Sequence, residues 1–271
     1  MTSLAIACIL AIVFVVTHVG LAALPVRARL VDALGAAGFR WLFFAVAATS
    51  FSALVAFYAD HRSAGPPGFA LGTSAALRPA LMALAVLGVV LMVASFATYG
   101  GGPYDVAGGG RSRGPRGLER VTRHPFFVGM ALFAGAHALL ATRLIGTVLM
   151  AALAGLAAGG AVHQDTKLLR LRGDSFAAYL AVTSNAPFVA IVGGRQRLAW
   201  DELPWAMLAL GAAIAAALRT VHAEIFAHRG AWVVLVAVGG PLALVVPGLV
   251  AHRRRVGQRG VGAVSRTGSP G

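Results

Sequence analysis

Polar and apolar positions in this chain fall into long blocks rather than into the short alternation of an exposed helix or strand. Apolar runs, each near the ~20 residues a bilayer requires, occupy 3–24, 40–59, 79–98, 126–143, 144–163, 203–222 and 230–250. They predict an all-α fold, a polytopic transmembrane bundle of about seven helices. Only Thr142 and Arg143 interrupt the fourth and fifth runs. These two runs therefore form either a tight hairpin or one long bent element. The first run follows Met1-Thr2-Ser3, which has no basic residue, and it is longer than a signal-peptide core. It is expected to persist as a helix in the mature protein.

The polar intervals complete the expected organisation. Residues 99–125 are rich in Gly and Arg, and 164–202 hold a short amphipathic segment followed by Thr183-Ser184-Asn185-Ala186-Pro187-Phe188. After about 252 the chain is Arg, Gly and Ser without apolar periodicity, as expected of a disordered tail. The division expected is a membrane domain at 1–198, two further spans at 199–251 and a basic tail at 252–271. No internal repeat is visible. Gly155 and Gly159 stand in small-xxx-small spacing, which predicts close packing against a neighbouring helix.

Composition changes this picture little, but charge adds direction. The chain is 58% hydrophobic and 12% charged, against about a quarter charged in soluble domains. A net charge of +14 would suit a nucleic-acid binder only on a far more polar chain. The bilayer itself is the partner expected, and nucleic acid is not. With the N-terminus outside and the spans alternating, the inner segments collect most of the basic residues. These are Arg27, Arg29 and Arg40; Arg111 to Arg123; Lys167 to Arg197; and the tail arginines. Eighteen of the 23 Lys and Arg lie there, and only Arg62, Arg78, Arg143, Arg219 and Arg229 lie outside. That asymmetry predicts the N-terminus out and the C-terminus in. The single cysteine, Cys8, excludes a disulfide framework and any cysteine-cluster metal site.

Ionisable groups at membrane depth are costly, so they are where function is sought. Of eight histidines, His61, His228 and His252 fall in loops or tail, and His163, His124 and His222 fall near helix ends. His18 and His137 each sit inside an apolar run. Counted from the inner face at 1.5 Å per residue, they lie roughly 10 Å and 17 Å deep. Such depths let two imidazoles share one planar cofactor between facing helices, and imidazole is a common ligand of haem iron. Packing histidines, each sharing one hydrogen bond with a neighbouring helix, are the plain alternative.

The ordered series of motifs resembles a known family. It runs Thr17-His18, Arg27-x-Arg29-Leu30-Val31, Gly38-Phe39-Arg40, then Gly117-Leu118-x-Arg120-Val121-Thr122-Arg123-His124-Pro125 and Ala136-His137-Ala138-Leu139-Leu140. Asp165-x-Lys167 and Thr183-Ser184-x-x-Pro187-Phe188 follow, ending at Gly194-Arg195. Over about residues 10–197 this is similar to the NnrU family of bacterial membrane proteins, tied to nitrite and nitric oxide reduction. A related branch is the haem b-dependent zeta-carotene isomerase. The resemblance implies an inner-membrane protein of denitrification, with nitric oxide reductase or nitrite reductase machinery as partners. Its enzyme alternative is a haem-dependent isomerase of a polyene lipid. It also implies His18 and His137 as the ligands of haem iron. The branch's alternative cysteine ligand falls on Ala134, and the Asn-Gly-Asp common after the second histidine is Ala141-Thr142-Arg143 here.

A second resemblance competes for the middle of the chain. Arg123-His124-Pro125, Gln164-Asp165, Phe176-x-x-Tyr179 and Pro187 are similar to isoprenylcysteine carboxyl methyltransferases. That likeness implies S-adenosylmethionine at the cytoplasmic face, near Arg123, His124 and Asp165. The carboxylate pair of those enzymes is Gln164-Asp165 here, with one acid replaced. Arg123 and Asp165 lie on different inner segments and are expected to approach and tie them together. The residues themselves leave catalysis and an accessory role open, and they name no catalytic group.

Overall fold

The structure is a computed structural model that describes residues 2–98 and 114–239. Its long helices follow the apolar blocks. Helix α1 spans Ser3–Ala22, capped by the Thr2 hydroxyl, which accepts from the Ala5 amide at 3.3 Å. Helix α2 spans Leu24–His61 and opens on Pro25. It is two helices meeting at Gly35, whose φ of 72° is open to glycine at little cost. The basic stretch expected to be a connection is thus a helical turn-in, and the spanning part of α2 follows Gly35.

Helix α3 spans Leu77–Thr98, and a single turn, α4, spans Leu118–Val121. Helix α5 is Pro125–Leu140 and α6 is Leu144–Arg172. Between them Gly146 N–H donates to the Arg143 carbonyl, and the Thr147 hydroxyl donates back to the Ala138 carbonyl at 3.1 Å. Of the two possibilities left open by the pattern, the tight hairpin is the one formed. The loop at 66–70 is strapped across this turn by Gly68 and Ala70 amides donating to the Thr142 and Ala141 carbonyls. Two short helices, α7 (Asp174–Val182) and α8 (Val189–Val192), precede α9 (Trp205–Thr220) and α10 (Ala227–Val234). A π turn at Leu235–Gly239 continues α10. The second half of the seventh expected span, the tail and most of the Gly/Arg-rich stretch lie outside the described residues.

Among the described residues four helices, α1, α2, α3 and α6, are long and apolar enough to cross a membrane, and α5, α9 and the α10 segment are shorter apolar helices. The outward faces carry Ile12, Val16, Val86, Leu87 and Val162, all exposed, as lipid-facing helices require. Helix α6 is central: α1 and α2 pack on one side of it and α5 on another, while α3 packs on α5 and α9. Phe14, Leu54 and Leu149 form the core where α1, α2 and α6 meet.

The tightest crossing joins α3 and α5. A methyl added at Gly88 would stand 2.6 Å from the Gly129 carbonyl oxygen and from the Phe133 amide. One at Gly129 would stand 2.6 Å from the Gly88 carbonyl oxygen. Gly155 and Gly159 were the expected contact, but they are exposed and a methyl at either meets nothing within 4 Å. Small residues occur on both the packed and the lipid-facing sides, and spacing alone does not separate them.

Candidate functional site

The polar chemistry of the chain gathers where two sequence motifs interlock. Arg123 N–H donates to the Ser184 carbonyl at 2.9 Å, and Phe188 N–H donates to the Val121 carbonyl at 2.9 Å. The Thr122 hydroxyl donates to the Asn185 carbonyl at 2.6 Å. Thr122, Thr183 and Ser184 are buried in this seam. The seam presents Arg123 and His124 to Asp165, about two turns from the end of α6 by sequence.

Arg123 grips Asp165 through two nitrogens, with Nη2 to Oδ2 at 2.6 Å and Nε to Oδ2 at 2.9 Å. His124 is 1% exposed and donates its Nε2–H to Asp165 Oδ1 at 2.7 Å. Its Nδ1 is then an acceptor, and it lies buried without a hydrogen-bond partner. The expected approach of Arg123 to Asp165 is therefore present in the structure. Asp165 serves both neighbours at once, so no free carboxylate pair of the methyltransferase kind stands here.

A second clamp lies beside the first and was not legible in the sequence. Arg120 donates from Nε and Nη2 to the two oxygens of Glu202 at 2.9 and 2.8 Å, and from Nη1 to Gln196 at 2.9 Å. Gly117 N–H adds a fourth bond, to Glu202 Oε2 at 2.9 Å. The only available signal was that Asp201-Glu202 is an acidic pair in a strongly basic region. The Arg120 guanidinium, and then the Gly117 amide, hold the Glu202 carboxyl down at about 2, against an ordinary 4.5. A depressed folded pKa means the clamp stabilises the protein above the ordinary value and loses that contribution as pH falls through the folded one. The melting-temperature gap between wild type and Glu202→Gln is thus expected to be constant above 4.5 and to shrink towards pH 2. A gap that does not change with pH over that range would show the carboxylate charge to be idle.

The two deep histidines are not brought together. His18 lies one turn before the end of α1, against Phe43 (ring centres 4.9 Å apart) and Phe14, and its Nδ1 is buried and unpartnered. His137 lies near the far end of α5 and donates Nδ1–H to the Phe133 carbonyl at 2.8 Å. Helix α2 serves as a ruler between them. Phe43 marks the level of His18, while Tyr58 packs beside Gly146, next to the Thr147 that bonds the turn after His137. Fifteen residues separate Phe43 from Tyr58, or about 22 Å of helix. Two imidazoles on one metal need nitrogens only about 4 Å apart, at roughly 2 Å per bond. Helix α6 also stands between α1 and α5. His18 and His137 do not fit one haem as a pair, because they stand near opposite ends of the bundle with α6 between their helices. The ring that faces His137 is instead His222, with centres 6.2 Å apart and planes 18° from parallel.

Long apolar helices and an exterior of exposed apolar side chains define, over the described residues, an all-helical membrane protein. The chain belongs to the NnrU family, which it matches as NnrU protein over residues 6–230, a span that runs through α9. It is also similar to the chloroplastic 15-cis-zeta-carotene isomerase of Zea mays, at 39% identity over 109 residues. That match covers 35% of this chain and 29% of the maize protein. The corresponding isomerase of Arabidopsis thaliana is 40% identical over 89 residues, covering 31% of this chain and 23% of that protein. The chain thus spans less than a third of the length of either relative in the matched part. No solved structure matches it.

Proposed function

We propose that this chain is a membrane-embedded isomerase of a polyene lipid, held with its N-terminus outside and its basic loops on the cytoplasmic side of a bacterial inner membrane. One observation carries the reading: its identity to 15-cis-zeta-carotene isomerases. The placement of its polar groups agrees. Geometric isomerisation moves no atom in or out of the substrate, so it requires an apolar route to the protein rather than a polar binding cleft. His18 and His137 both lie among Phe side chains on helices bordering lipid, and the charge asymmetry supports the orientation. The accessory role in nitrite or nitric oxide reduction has no such observation behind it, and the isomerase reading replaces it as the leading one.

The test is direct. Membranes from a haem-replete host making this chain are mixed in the dark with vesicles carrying 15-cis-zeta-carotene, and isomers are separated by chromatography. Conversion at the central double bond above that of host membranes alone is expected. Equal conversion in the two samples would overturn the reading.

A further inference from the structure

We infer that Arg27 and Lys167 form a binding site for the anionic headgroup of a phospholipid, at the corner where α1 turns into α2. Only Ala23 separates α1 from α2, and residues 24–34 form a short helix at this corner before the break at Gly35. Arg27 stands on that short helix, its guanidinium carbon 5.4 Å from the centre of the buried Phe39 ring. Helix α6 packs on both α1 and α2. It brings Lys167, near its end, close enough to Arg27 for the two charges to repel each other. Both cations are half-buried.

Two like charges held together in a half-buried niche are costly unless an anion joins them. Among the described residues no acidic side chain pairs with either one. Asp165 is taken by Arg123 and His124, and a step of two residues turns about 200° round a helix, so Lys167 points away from it. Asp32 is five residues beyond Arg27, about 140° round the helix, and exposed. An arginine beside a lysine suits a phosphate, the first giving paired N–H donors and the second a point charge. The surroundings favour a lipid over a free anion. Val26 and Leu34 are exposed on the same short helix, with Leu30 between them at steps of four residues, so an apolar stripe runs next to the cations. Trp41, shortly after Gly35, is exposed in the manner of an aromatic at headgroup level. A phosphate and acyl chains on one molecule match both features.

The full chain, purified in a neutral detergent, is melted with increasing phosphatidylglycerol, phosphatidylcholine or inorganic phosphate. Phosphatidylglycerol is expected to raise the melting temperature saturably. Phosphatidylcholine, whose ammonium offsets its phosphate, is expected to do so much less. Arg27→Gln and Lys167→Gln should each weaken the apparent affinity for phosphatidylglycerol about fivefold or more. Arg29→Gln makes the same charge change at an exposed position of the same helix and should leave it unchanged. Lys167→Arg should keep the binding. Each variant is compared with itself with and without lipid, so a change in its own stability does not obscure the result. An equal shift with phosphatidylcholine, or an equal loss in Arg29→Gln, would show only a general attraction of basic surface and would overturn the site. Saturation by inorganic phosphate at the same concentrations would overturn the lipid as its occupant. The readout is lipid binding, so its failure is distinct from failure of the isomerase reading.

Discussion

Asp165→Ala is expected to lower the stability of this protein by about 3–5 kcal/mol. The carboxylate is 16% exposed and satisfies two partners at once, the bidentate Arg123 guanidinium, itself 15% exposed, and the Nε2–H of buried His124. Alanine would leave a permanent cation half-wrapped in protein and an imidazole with neither nitrogen bonded. Because Arg123 also carries the backbone bond to Ser184, the damage should spread into the seam that joins α5 to the 183–188 loop. Asp165→Asn keeps an oxygen for His124 and removes only the charge, so a smaller loss is expected. Thermal unfolding of both variants in detergent, followed by circular dichroism, tests this. A loss under about 1 kcal/mol for Asp165→Ala would mean the pair is worth no more than a solvated one.

Gly88→Ala is expected to cost about 1–3 kcal/mol, and Gly88→Leu to separate α3 from α5 altogether. The added carbon would meet backbone atoms of α5 at 2.6 Å, and backbone cannot rotate out of the way as a side chain can. The whole helix would have to shift, with loss of the close approach that holds membrane helices together. Gly155→Ala and Gly159→Ala are the controls. Their added methyls meet nothing, and removing glycine from a helix interior should leave stability unchanged or raise it by up to about 1 kcal/mol. Unfolding midpoints of the four variants decide the matter; a harmless Gly88→Ala would mean the crossing is looser than the structure has it.

Much of the protein could be read from its residues because the bilayer imposes so simple a rule. Spanning segments must be apolar and must bond their own backbone, so block length alone located α1, α3, α5 and α9 to within about three residues at each end. The break at Thr142 and Arg143 was legible for the same reason. The motif series carried family membership, and it carried half of the site as well. Arg123, His124 and Asp165 were singled out from their types and from the two inner segments that hold them, and the fold does bring them together.

Other features escaped because they depend on where helices end and how they are stacked. His18 and His137 look equivalent in the chain, each an imidazole in an apolar run. Their separation follows from α1 stopping at Ala22 and α5 at Leu140, and from α6 lying between the two. His222 looked like a residue at a helix end, and only the packing of α9 on α3, itself packed on α5, turns it towards His137. Glu202 had no pattern to betray it, since its partners Gly117 and Arg120 stand more than eighty residues away. The sequence by itself determined what must be buried in lipid, which way the basic loops are expected to face and which family the chain joins, because hydropathy, charge and motif order are local or additive properties. Tertiary structure alone decided which histidines meet and which glycines touch. Those facts depend on relative depth and rotation of neighbouring helices, and a one-dimensional pattern of apolar blocks leaves both undetermined.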